Sequence, residues 1–126
     1  MPAHELSPDV RRFILTSVPS VPFLEAVLLL RAAPGEAWDA AQLARRLYLP
    51  DRAAAELLQQ LRDSGIAVRA GAGEATRYAP DAALAALLDD VAQAYATDLV
   101  GVSGLIHSRI DRRAQQFADA FRFRKN

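Results

Sequence analysis

The chain has 126 residues, 52% of them hydrophobic, which is one domain's worth of core with an extension. Fifteen basic side chains balance fifteen acidic ones, so no overall field draws the protein to nucleic acid or to an anionic membrane. The absence of cysteine excludes disulfides, thiolate metal sites and thiol catalysis, and it fits a reducing cytoplasm.

Met1–Ser7 lacks the charged-then-apolar layout of a signal peptide. Ser7-Pro8-Asp9 starts a helix: the hydroxyl can accept from backbone N–H groups, and a proline in the first turn loses no hydrogen bond. That helix puts Val10, Phe13 and Ile14 on one side, Arg11 and Arg12 on the other, and ends at Pro19. Ser20 caps a second helix, predicted from Val21 to about Ala33. Its run Ala26-Val27-Leu28-Leu29-Leu30 makes it apolar nearly all round, the mark of a central buried helix. That run is far short of the roughly 20 residues a membrane helix needs. Pro34-Gly35 terminates it.

Ala37-Trp38 is a short extended run, and Asp39 is a good N-cap for a helix over Ala40–Leu47. Leu43, Ala44 and Leu47 form its inward stripe while Arg45 and Arg46 point outward. After the turn Tyr48-Leu49-Pro50-Asp51, in which Leu49 should plug the angle, a helix is predicted over Arg52–Ser64. Ala54, Leu57, Leu58 and Leu61 face the core, and Gly65 supplies the left-handed position after the last turn. Ile66-Ala67-Val68 and Thr76-Arg77-Tyr78 alternate as strands around the tip Ala70-Gly71-Ala72-Gly73. Pro80 breaks the hairpin, and Asp81 caps the last helical region. There Leu84, Leu87, Leu88, Val91, Tyr95, Leu99, Val102 and Ile106 hold an i/i+3/i+4 stripe, with a kink or a close helix crossing expected at Gly101 and Gly104. A final amphipathic stretch carries Ile110, Ala114, Phe117 and Phe121, then Arg122-Phe123-Arg124-Lys125.

Residues 21–79 resemble the winged helix-turn-helix superfamily, in the broad style of MarR-like bacterial regulators. The likeness is carried by Trp38-Asp39-Ala40-Ala41-Gln42-Leu43-Ala44-Arg45-Arg46-Leu47, by Leu57-Leu58-Gln59-Gln60-Leu61-Arg62-Asp63-Ser64-Gly65-Ile66, and by the wing closing at Arg77-Tyr78. The whole chain also resembles small bacterial proteins that add a stretch like Leu105-Ile106-His107-Ser108 and Phe117-Ala118-Asp119-Ala120-Phe121-Arg122, a likeness that implies no activity. The expected fold is mainly α: a winged helix-turn-helix core with a small β-hairpin wing, an N-terminal helix and a long C-terminal helical extension. The divisions are an arm at 1–20, the winged domain at 21–80 and a dimerisation or interaction extension at 81–126.

In such a module the second helix of the motif offers its N-terminal outward residues to base edges. That places Arg52, Glu56 and Gln59 at the major groove, where Arg52 suits guanine and Gln59 adenine. Arg45, Arg46, Arg69 and Arg77 are the candidates for the phosphate backbone. Against this, Asp51 and Glu56 repel phosphates, and the wing tip has no basic residue and ends in Glu74. Six arginines meet six acids between Pro34 and Pro80, whereas a nucleic-acid module usually has a pI above about 9. The bland alternative is an ordinary solvated face.

Two readings compete for the stripe from Leu84 to Ile106: it folds back on Phe13, Ile14 and the apolar helix as core, or it pairs with a second copy. The homodimer is the preferred expectation, because an exposed apolar stripe of this length otherwise invites aggregation. Its seam would be Leu88, Val91, Tyr95, Leu99, Val102 and Ile106, with Phe117 and Phe121 beyond. Residues 109–126 carry six basic groups against two acids. They suit the negative end of a helix dipole, a phosphate-tracking tail, or a protein partner's groove lined for Phe117 and Phe121. Membrane-surface binding is the weaker option for so short a segment.

No catalytic constellation emerges. His4 and His107 are isolated, no nucleophile elbow supports a pairing of His107 with Ser103 or Ser108, and adjacent Asp89-Asp90 splay apart around a helix. No spacing recruits a metal and no cofactor is implied, and the glycine-rich tip lacks the Lys-Ser/Thr of a phosphate loop. The expectation is a non-enzymatic, cytoplasmic, homodimeric DNA-binding regulator. The alternative is a winged-helix adaptor that captures a protein through residues 109–126.

Overall fold

The computed structural model describes residues 6–71, 73–108 and 110. Helix α1 (Pro8–Ser17) opens where the Ser7 hydroxyl accepts from the Val10 N–H, and α2 (Val21–Ala32) opens in the same way on Ser20 and Phe23. Strand β1 (Ala37–Trp38) leads into α3 (Ala40–Leu47), whose start is locked reciprocally. The Gln42 N–H donates to Asp39 Oδ1 at 2.8 Å, and Gln42 Oε1 accepts from the Asp39 N–H at 2.9 Å. This capping box satisfies two N–H groups that the helix itself cannot.

Helix α3 ends on Tyr48 in the left-handed region, φ 57° and ψ 49°, where the N–H groups of Tyr48 and Leu49 both reach the Ala44 carbonyl. Helix α4 (Asp51–Asp63) begins one residue before the predicted Arg52. The ring of Pro50 holds the chain extended at φ −62°, and the Pro50 carbonyl accepts from the Ala54 N–H, so Asp51 already lies in the first turn. Gly65, at φ 79°, stops the helix as expected.

Strands β2 (Ala67–Arg69) and β3 (Thr76–Tyr78) form the hairpin, and β1 adds to its other side, giving an antiparallel sheet in the order β1-β3-β2. Thr76 pairs with Trp38 and Arg69, and Arg77 with Ala37 and Val68. Trp38 and Thr76 are buried while Ala37, Val68 and Arg77 are exposed, the alternation expected of a sheet covered on one face. The first wing strand starts one residue later than predicted. The Ile66 N–H donates to the Leu61 carbonyl, so Ile66 completes the helix stop before the ladder begins.

The C-terminal region is two helices, α5 (Ala82–Thr97) and α6 (Leu99–Ser108), not one continuous stripe kinked at its glycines. The break is Asp98, at φ −146° and ψ 65°. Its N–H closes α5 on the Ala94 carbonyl, and its carboxylate accepts from the Gly101 N–H at 3.0 Å to open α6. A Cβ on Gly101 would lie 2.7 Å from the Asp98 Cγ, so the glycine makes room for this cap. Gly104 has no neighbour within 4 Å of where its Cβ would stand among the described residues.

One hydrophobic core takes side chains from α1, α2, α3, α4, α5, α6 and the sheet. Helix α2 lies at its centre, with Phe23, Leu24, Ala26, Val27 and Leu30 all buried. Of the expected dimer seam, Leu88, Val91, Val102 and Ile106 are fully buried inside the chain's own core, where α5 packs on α1. Of the stripe, Tyr95 is half-buried and Leu99 exposed, with Val100 exposed beside it. Phe117 and Phe121 lie outside the described residues. No single described helix is long and apolar enough to cross a membrane.

Candidate nucleic-acid interface

Helix α4 buries Ala54, Leu57, Leu58 and Leu61 and turns Asp51, Arg52, Ala55, Glu56, Gln59 and Gln60 to solvent. The predicted base-reading residues Arg52, Glu56 and Gln59 therefore share the outer face of one helix. Arg45 and Arg46 are exposed at the end of α3, on one flank, and Arg69 and Arg77 are exposed on the wing. All seven predicted side chains are on the surface.

They are not equally free. Arg45 and Arg77 make no ion pair among the described residues. Arg46 lies over the Trp38 ring, 5.7 Å from its centroid, a cation–π contact that still leaves the guanidinium at the surface. Arg52 Nε is 3.9 Å from Glu56 Oε1 one turn on, and both side chains are well exposed, so this pair is weak. Arg69 approaches Glu74 at 3.5 Å, so the acid that the sequence places at the wing tip is already engaged by a wing cation.

Gln59 is the most constrained of the set. Its Oε1 accepts from Arg62 at 2.8 Å, and its Nε2 donates to Asp63 at 2.8 Å. Arg62 also donates to the Thr76 hydroxyl and faces Glu74 at 3.7 Å, with only 11% of its side chain exposed. Arg62 is thus a structural cation, subtracted from those available for phosphate. Counting charges along the chain had given it no special place. The signal that could have found it is its position one turn after Leu58 on the border of the apolar stripe, with a threonine returning on the wing.

Two buried polar atoms, Trp38 Nε1 and the Tyr78 hydroxyl, have no hydrogen-bond partner among the described residues. Burial pushes the Tyr78 phenol above its ordinary range and the Asp89 carboxylate adds to this, while Arg31 acts in the opposite sense. Arg31 and Asp89 are themselves paired at 2.9 Å, tying the end of α2 to α5. An open groove of about 290 Å³ lies where α2, α3 and α5 meet, lined by Glu25, Leu28, Leu29, Arg46, Leu47 and Tyr95. Among the described residues no group of three or more His, Cys, Asp or Glu side chains could hold a metal ion. His107 is exposed on α6.

Two helices joined by a tight turn, followed by a hairpin whose central strand takes a third strand from before the motif, define a winged helix-turn-helix fold. A MarR family protein of Mycobacterium tuberculosis has a similar structure: 94% of this chain aligns with 81% of that one, at a TM-score of 0.50 and 22% sequence identity. The likeness establishes the fold. No family model matches the sequence, and no curated protein does.

Proposed function

We propose that the protein is a DNA-binding transcriptional regulator that acts as a homodimer and has no enzymatic activity. In this reading Arg52, Glu56 and Gln59 of α4 face the major groove, while Arg45, Arg46, Arg69 and Arg77 touch the backbone. The observation that carries it is the exposed polar face of α4 standing between the arginines of α3 and those of the wing. The fold shared with a MarR family protein supports it. The dimer's remaining candidate surface is Tyr95, Leu99 and Val100, with Phe117 and Phe121 beyond the described residues. Pairing two modules would raise the affinity of a weakly charged face through avidity.

The test is an anisotropy titration of GC-rich and random duplexes over about 20 to 200 mM salt. Binding that weakens steeply with salt is the expected result, with a log–log slope that counts phosphate contacts. Arg52→Ala combined with Gln59→Ala should erase the preference between duplexes. Flat or absent binding at low salt would remove this reading.

One observation favours a second reading, a protein-interaction adaptor working through residues 109–126. Arg52 and Arg69 each have an acidic neighbour within the chain, which lowers the positive potential of the winged face. In that case truncation after Ser108 abolishes partner capture and leaves the core folded.

A further inference from the structure

We infer that Tyr48 is a contact to the DNA backbone, its hydroxyl donating to a phosphate oxygen; this rests on the DNA reading above. Tyr48 is the one non-glycine with positive φ among the described residues, and its side chain is 93% exposed. At φ 57° and ψ 49° a bulky side chain is disfavoured relative to glycine, and here no packing offsets the strain. The same motif ends its other helix with a left-handed residue, and there the residue is Gly65, at φ 79°. Two helix stops with similar backbone geometry thus differ in one carrying a large, amphipathic side chain that does nothing for the fold.

The position says what that side chain meets. Tyr48 stands in the turn between α3 and α4, with exposed Arg45 and Arg46 just before it and exposed Arg52 just after. A duplex lying on α4 and held by those cations presents its sugar–phosphate strand to this turn. Phosphate oxygens only accept hydrogen bonds, and a phenol hydroxyl can donate one while its ring covers a deoxyribose. The contact is neutral, so it displaces no counterion and reads no base.

Those two properties make the test specific. Titrations of GC-rich and random duplexes would compare the unsubstituted protein with Tyr48→Phe and Tyr48→Gly. Tyr48→Phe should weaken binding about tenfold on both duplexes for each protomer engaged, the scale of one hydrogen bond to a charged acceptor. Tyr48→Gly should weaken it further and yet melt roughly 2–5 °C higher, since the backbone strain is relieved. Neither should change the log–log salt slope, whereas Arg45→Ala should lower it by about 1 for each protomer engaged. Tyr48→Phe and Tyr48→Gly proteins that bind like the unsubstituted one overturn the inference and leave the DNA reading intact. If the unsubstituted protein binds no duplex, the DNA reading fails and this contact falls with it.

Discussion

The guanidinium of Arg62 on α4 donates to the hydroxyl of Thr76, fourteen residues on, in the central strand of the wing. Thr76 is fully buried and Arg62 nearly so, and a second nitrogen of the same guanidinium holds Gln59. The outer face of the helix and the wing are therefore set by one side chain.

Arg62→Ala should destabilise the protein by about 2–3 kcal/mol, from the hydrogen bond to a buried hydroxyl and the packing of the arginine stem. Thr76→Val removes the acceptor for Arg62 and the hydroxyl's own donation to the Glu74 carbonyl but keeps the arginine stem, and it should cost about 1–2 kcal/mol. Urea unfolding of the two variants checks the order. Equal stability for Arg62→Ala and the parent would mean that the guanidinium does not bridge helix and wing.

Asp98 and Gly101 should behave as a coupled pair. Gly101→Ala alone brings a Cβ against the Asp98 carboxylate and should destabilise, although alanine is the better helix former by about 1 kcal/mol. Asp98→Ala alone should lose about 1 kcal/mol through the missing cap. The double variant has no carboxylate to collide with, so it should be more stable than additivity requires by about 1 kcal/mol. Strict additivity in thermal melts would contradict the cap geometry.

Most elements were legible because local chemistry decides them. Ser7, Ser20, Asp39 and Asp81 each accept from the N–H three residues on, and Gly65 takes the positive φ that only it adopts easily. The division of the last helical region was not. Gly101 read as a residue that weakens a helix, and nothing in the spacing says that its missing Cβ serves the carboxylate of Asp98. The burial of four of the expected seam residues within the chain was not legible for a related reason. Periodicity reports that Leu88 and Ile106 want burial but cannot distinguish a partner's surface from the chain's own core. The face of α4 followed from helical spacing, whereas the hydrogen bond of Arg62 to Thr76 joins the helix to the wing across fourteen residues, which no local spacing encodes.

The two ends of that stripe should now differ sharply. Leu88→Ala should cost about 2–5 kcal/mol as a buried truncation, while Leu99→Ala should stay within about 0.5 kcal/mol of the parent monomer. Chemical denaturation of dilute protein measures both. A large loss at Leu99 and none at Leu88 would restore the intermolecular seam.

Tyr78 carries the clearest pH dependence. Its phenol ionises less readily in the folded state than its ordinary value of 10.0, so folding favours the protonated form. That contribution is complete below about pH 10 and is lost as pH rises through the higher folded value. Tyr78→Phe should flatten the alkaline fall in melting temperature and, with no buried hydroxyl left unpaired, should not destabilise at pH 7. An unchanged alkaline limb would assign the dependence elsewhere.

The shared core has a consequence for portability. Val10, Ile14 and Val18 before the motif and Leu88, Val91, Val102 and Ile106 after it make up a third of the buried apolar side chains among the described residues. A cassette cut at residues 21–80 and grafted onto another protein would carry the whole wing and both helices of the turn, yet it would lose those seven side chains from the core they share with it. The module travels only with its two flanks, so swapping its target means rewriting the outer face of α4 in place.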